Sequence, residues 1–144
     1  AQSSKRKEIL AIDSLAPADE NNLVQAAHID INSVTETLTD IESAFDTNFM
    51  VNKAQHYLMT KLIKKGALLF FIGGDNFMAP CNGLSEKEIE DILVEINDEI
   101  GIGLKAGIGV GRNMEDAAYM ADLGLEEIRD HDNGMWTWVI EKEY

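Results

Sequence analysis

Two aspartates stand where carboxylates can do oxygen-ligand chemistry. Asp30 closes the run Ala27-His28-Ile29-Asp30-Ile31, and Asp75 lies in the turn Gly73-Gly74-Asp75-Asn76. Paired carboxylates form a hard oxygen site of the kind that suits Mg²⁺, and phosphate oxygens complete it. A metal so held bridges phosphates and stabilises charge developing on them. The backbone carbonyl of Ile31 is a further candidate ligand. Gly73 and Gly74 carry no side chain, so a ligand can lie against the turn. Asn76 offers hydrogen bonds to a base or sugar. Asn32 and Ser33 follow the first aspartate and lead into a helical pattern, where free backbone N–H groups bind phosphate. Lys105 and Arg112 are the candidate phosphate-neutralising cations. His28 shares a strand face with Asp30 and is read as a hydrogen-bonded structural residue or a base. Taken alone, the Gly-Gly-Asp-Asn turn is an ordinary hairpin.

The elements that position these residues follow from periodicity. Leu23 to Ile31 alternates as a strand, with Ala27, Ile29 and Ile31 on one face and His28 and Asp30 on the other. A helix is expected next, from Leu38, Ile41, Phe45, Phe49, Leu58 and Leu62, ending at Gly66. Ala67 to Ile72 reads as a buried strand, and Phe77-Met78-Ala79 returns beyond the turn to stop at Pro80. Ser85 and Glu88 form a capping box for a helix lined by Ile89, Ile92, Leu93, Ile96 and Ile100 and closed by Gly101. Leu104 to Gly111 sets Leu104, Ala106, Ile108 and Val110 against Lys105, Gly107, Gly109 and Gly111. The second, bare face admits a flat ligand or another backbone. Asn113 caps a last helix, and Trp136 to Ile140 is a last strand.

The expected fold class is therefore α+β: a ferredoxin-like βαββαβ palm with an additional C-terminal αβ, an antiparallel sheet and helices on one face. In that topology the first strand lies beside the hairpin, so Asp30 and Asp75 converge. Residues 1–22 read as a linker, or as the tail of a preceding module through the apolar Ile9-Leu10-Ala11-Ile12. The palm domain is expected over 23–144.

Composition narrows the partners. The chain has 144 residues and a net charge of −14, from 12 Lys and Arg against 26 Asp and Glu. That balance disfavours nucleic acid and anionic membranes, while a small anion needs local cations or a metal. No apolar run approaches a membrane span, and no secretion signal is read. One cysteine, Cys81, fits a reducing cytoplasm and excludes an internal disulfide. There is no P-loop lysine motif and no His-Glu-x-x-His.

Three strings together narrow the reading: Ala27-His28-Ile29-Asp30-Ile31, Phe70-Phe71-Ile72-Gly73-Gly74-Asp75-Asn76-Phe77-Met78, and Leu104 through Arg112. The combination resembles archaeal GTP cyclohydrolase III, and more distantly the palm of GGDEF diguanylate cyclases and class III nucleotidyl cyclases. The likeness runs from about residue 23 to the C-terminus. The resemblance implies a GTP hydrolase that opens the guanine imidazole ring to a formylamino-pyrimidine ribosyl monophosphate and releases inorganic phosphate. It implies Mg²⁺, a stimulating monovalent cation such as K⁺, and a place in flavin-type cofactor synthesis. The family's metal carboxylates fall on Asp30 and Asp75, its hairpin glycines on Gly73 and Gly74, and its asparagine on Asn76. Cyclases commonly carry an acidic residue at that last position, so Asn76 favours the hydrolase. The family has two palm modules in tandem and this chain resembles the C-terminal one, which implies a second module or a homo-oligomer as partner. A nucleotidyl or diguanylate-type cyclase and a non-catalytic GTP-binding sensor are the alternatives.

Overall fold

The computed structural model describes residues 23–31, 44–131 and 134–144. The expected linker over 1–22, the start of the first helix and the candidates Asn32 and Ser33 lie outside the described residues. Eight elements follow in order: β1 (Val24–Ile31), α1 (Ala44–Ile63), β2 (Phe70–Gly73), β3 (Asn76–Pro80), α2 (Glu86–Ile100), β4 (Leu104–Gly111), α3 (Met114–His131) and β5 (Thr137–Glu141). The sheet order is β2-β3-β1-β4-β5. β1 is central and antiparallel to both β3 and β4, as the split βαβ unit requires.

One face of the sheet buries Ala27, Ile29, Ile31, Phe77, Ala79, Leu104, Ala106 and Ile108 against α1 and α2. On α1 the buried positions are Val51, Ala54, Leu58 and Leu62, three and four residues apart. Phe45 and Phe49, expected in that stripe, are 74% and 58% exposed. On α2 the buried stripe is Ile89, Ile92, Leu93 and Ile96. The Ser85 side chain accepts from the Glu88 N–H at 3.1 Å, and the Ser85 N–H donates to the Glu88 carboxylate at 3.3 Å. Gly101 closes the helix in the left-handed region at φ 71°. Ser85→Ala should lower stability by about 1 kcal/mol in a denaturant melt.

The opposite face differs from the expectation that helices cover only one side. α3 packs there, directly on the glycine row of β4. A Cβ built on Gly107 would collide with the backbone of Ala121 and Leu125, and one on Gly109 with that of Ala117 and Ala121. Gly124 of α3 reciprocates, since a Cβ there would lie 2.8 Å from the Trp138 carbonyl and 3.1 Å from the Gly107 Cα. The bare strand face thus admits another backbone, not a flat ligand. Val24, Ala26 and Met78 complete this second core with Met114 and Ala117. The expected all-antiparallel sheet is corrected as well: β5 pairs with β4 in parallel. α3 is the crossover that returns the chain in the same direction.

Cys81 follows β3 and is fully buried. The Gln25 side chain donates to the Cys81 and Leu84 carbonyls at 3.1 and 2.9 Å, tying this loop to β1. Burial pushes the Cys81 thiol up to about 11, against a weaker opposing hydrogen bond from Gln25. No helix among the described residues is long and apolar enough to cross a membrane.

Candidate functional site

Register brings the candidate residues to one end of the sheet. Asp30 is paired across β1 with Asn76 of β3 on one side and with Lys105 of β4 on the other. The Ile31 N–H donates to the Asp75 carbonyl at 3.2 Å, locking the strand end to the hairpin. Gly73 pairs with Asn76 and leaves Gly74 and Asp75 as the turn. Gly74 sits at φ 57°, where a residue with a side chain is strained. Asp30, Ile31, Gly73, Gly74, Asp75, Asn76 and Lys105 are therefore neighbours.

Arg112 is not among them. It follows Gly111, which pairs with Val24 at the other end of β1. Gly111 is six positions along the strand from Lys105, roughly 20 Å at ~3.3 Å per residue. Arg112 lies 4.1 Å from the Tyr144 ring centroid, and its N–H donates to the Tyr144 hydroxyl at 2.6 Å. That hydroxyl donates in turn to Asp116 at 2.6 Å. The assignment of Arg112 to phosphate binding is corrected: it belongs to a knot that fastens the far end of the sheet.

A different cation, from α3, reaches the Asp30 end of the sheet. An Arg129 guanidinium N–H donates to Asp30 Oδ2 at 2.5 Å. Its side chain is 46% exposed, so it also faces solvent. The only sequence signal for it is a basic residue in the last helical turn, a common helix-dipole feature. Sequence reasoning misses Asp122 too. It lies two turns earlier on the same helix face and contacts His28 Nδ1 at 2.5 Å.

The two oxygens of Asp30 differ. The residue is 5% exposed. Oδ2 is bound by Arg129, whereas Oδ1 is buried and accepts no hydrogen bond among the described residues. Lys105 Nζ stands 3.8 Å from Oδ1, outside hydrogen-bond range. Burial raises the pKa of Asp30; Arg129 and Lys105 pull it down and the Asp75 charge pushes it up, leaving it above its usual value. His28 is desolvated too, which alone would lower its pKa. The hydrogen bond and charge of Asp122, helped by Asn76 and Asp30, outweigh that and leave it raised.

An ionised carboxylate oxygen buried without a donor is costly unless something positive meets it. Among the described residues no three His, Cys, Asp or Glu side chains converge. The register brings Asp30 Oδ1 next to the hairpin that carries the Asp75 carboxylate, and the Ile31 carbonyl is the further candidate donor. That set is hard and oxygen-only, and it leaves positions for ligand oxygens.

Comparison with known proteins gives the family and the fold. The sequence model of the family described as GTP cyclohydrolase III matches residues 1–143. The chain is similar to the GTP cyclohydrolase III of Methanothermobacter thermautotrophicus, at 62% identity over 129 residues, covering 90% of this chain and 51% of that protein. It is 57% identical over 129 residues to the GTP cyclohydrolase III of Methanocaldococcus jannaschii, covering 90% of this chain and 47% of the relative. The chain spans about half the length of the curated relatives it matches. In three dimensions it is similar to the GGDEF domain of DgcB from Caulobacter crescentus, solved in complex with c-di-GMP. The TM-score is 0.76 at 14% identity, covering 94% of this chain and 88% of that one. The active GGEEF domain of a Vibrio cholerae diguanylate cyclase gives a TM-score of 0.67 at 15% identity, covering 96% of each chain. Those two likenesses establish the palm fold. The chain belongs to the GTP cyclohydrolase III family.

Proposed function

We propose that this domain binds GTP at the Asp30–Asp75 end of its sheet and takes part in hydrolysing it. The guanine imidazole ring opens to a formylamino-pyrimidine ribosyl monophosphate, and the two terminal phosphates leave as inorganic phosphate. Water is the co-reactant throughout: one adds at the purine C8 as its bond to N9 breaks, and two displace phosphate. The product class suits flavin-type cofactor synthesis, and the setting is cytoplasmic. Family membership supports the activity. The observation that carries the site is the buried Oδ1 of Asp30, which accepts no hydrogen bond among the described residues, next to the Asp75 hairpin.

Mg²⁺ fits there: Asp30 Oδ1, Asp75 and the Ile31 carbonyl would hold it, and bound it would supply charge neutralisation on the triphosphate. The chain's own groups do the rest. Arg129, half exposed, swings between Asp30 and phosphate oxygens, and its guanidinium fork suits them. Lys105, only 18% exposed, keeps a fixed positive charge under the site. Gly73 and Gly74 let the nucleotide approach the hairpin backbone. The Asn76 amide nitrogen is tied to Asp75 and Gly73, so it orients the turn on which the nucleotide would lie. Asn32 and Ser33 remain the candidates for phosphate contact from the segment after β1. K⁺ is a second cation consistent with the triphosphate charge. The relatives are about twice as long, so a second palm module or another copy of this chain completes the enzyme.

The cyclase reading has one observation in its favour, the shared GGDEF palm, and product chemistry separates the two. Incubation with GTP and Mg²⁺ should deplete guanine absorbance and release two inorganic phosphates per GTP. Pyrophosphate release would assign a cyclase, and binding without turnover a sensor or a half-enzyme lacking its second module. Asp75→Ala should abolish Mg²⁺-dependent GTP binding in a calorimetric titration; binding equal to wild type would remove Asp75 from the site.

A further inference from the structure

The Asp75 carboxylate is not held by the hairpin alone. Asn76 Nδ2 donates to Asp75 Oδ1 at 3.2 Å and approaches the Gly73 carbonyl at 3.4 Å. Asn76 Oδ1 meets His28 Nε2 at 3.0 Å, and His28 Nδ1 meets Asp122 Oδ1 at 2.5 Å. A primary amide has one accepting oxygen and one donating nitrogen. The nitrogen of Asn76 faces a carboxylate and a carbonyl, neither of which can donate, so its oxygen must face His28. Asp122 as a carboxylate also only accepts. Both ring nitrogens of His28 are therefore donors. A directed chain results, in which His28 donates to Asp122 on α3 and to Asn76 on β3, and Asn76 donates to Asp75. It joins three elements that are remote in sequence, and Asp122 is its half-exposed end, with 51% of its side chain in solvent.

We propose that His28, clamped by Asp122, is a positioning residue: it fixes the Asn76 amide so that one oxygen of Asp75 is held and the other is left for a divalent cation. This rests on the metal reading of Asp30 and Asp75. His28 touches neither phosphate nor metal; it acts through Asn76. Such outer partners orient ligands, and their loss typically costs about tenfold to a hundredfold in metal affinity. A histidine that merely cross-links β1 to α3 would alter stability and leave the Asn76 amide and the cation affinity where they were.

The test reads both. Mn²⁺ is titrated into the folded chain and followed by water-proton relaxation, while ¹⁵N spectra record the His28 ring and the Asn76 side-chain amide. His28→Leu should displace the Asn76 amide signals and weaken Mn²⁺ by about tenfold. His28→Gln, whose amide N–H can still donate to Asn76, should restore most of that affinity. Asp122→Ala sits at an exposed helix position where alanine favours folding, and should also displace the amide signals. Unmoved amide signals in folded His28→Leu and Asp122→Ala overturn the proposal, as does wild-type Mn²⁺ affinity in both. Amide signals that move in a chain binding no Mn²⁺ would support the clamp on Asn76 and overturn the metal reading instead.

Discussion

Asp30→Asn is expected to cut Mg²⁺-dependent GTP turnover about a thousandfold while making the ligand-free protein more stable at neutral pH. The first effect follows from losing a charged metal donor, and a thousandfold corresponds to about 4 kcal/mol of transition-state stabilisation. The second follows from burial. Even with Arg129 and Lys105 beside it, Asp30 has a pKa above its usual value of 3.8. The folded chain thus holds that proton more tightly than the unfolded chain does. Above the folded pKa, ionisation subtracts from stability, and the cost disappears as pH falls through the folded value towards 3.8. The amide carries no such charge. Thermal melts at neutral pH should place the Asp30→Asn protein above wild type, and the gap should close as the pH falls below 3.8. Mg²⁺ should raise the wild-type melting temperature and leave the variant unmoved, because only the carboxylate rewards the cation. A variant less stable than wild type at neutral pH would show that Arg129 and Lys105 outweigh the desolvation.

The second large effect is at Gly109. Its α3-facing side has no room for a methyl group, and the obstacles are backbone atoms of Ala117 and Ala121 that cannot rotate away. Overpacking a core usually costs about 1–3 kcal/mol when side chains can yield. Here helix and strand must part, so Gly109→Ala should cost about 3 kcal/mol or more. Chemical denaturation is the check. Because α3 carries Arg129 and Asp122, any folded remnant should also lose GTP affinity. Gly74→Ala supplies the contrast. Among the described residues a Cβ there meets only the Asn76 amide nitrogen, at an ordinary 3.6 Å, so the cost comes from its positive φ, about 1 kcal/mol.

Local signals read well from the sequence. The capping box at Ser85 and Glu88, the turn at Gly73 to Asn76 and the alternation in β1 each depend on residues within a few positions of one another. The Asp30–Asp75 neighbourhood is legible because the order βαββαβ dictates which strands touch. The glycine row of β4 is half legible. Its spacing announces a close approach, yet glycine is equally silent about a ligand and a helix, and only the placement of α3 decides. Arg129 is invisible because its partner lies 99 residues away and a basic residue near a helix end has an ordinary local explanation. Arg112 misleads for the opposite reason. It is near Lys105 in sequence, but an extended strand carries neighbours to opposite ends of a domain.

Cys81 has a use beyond the fold. It is the one cysteine in the chain, it is fully buried, and its thiol is held in the protonated form to about pH 11. An exposed thiolate is the nucleophile that attacks alkylating reagents. A cysteine placed at an exposed position such as Glu126 would therefore be the single site that takes a maleimide dye, with no need to engineer the native thiol away. A fluorophore there, one turn from Arg129 on α3, would report on the helix end as nucleotide and cation arrive.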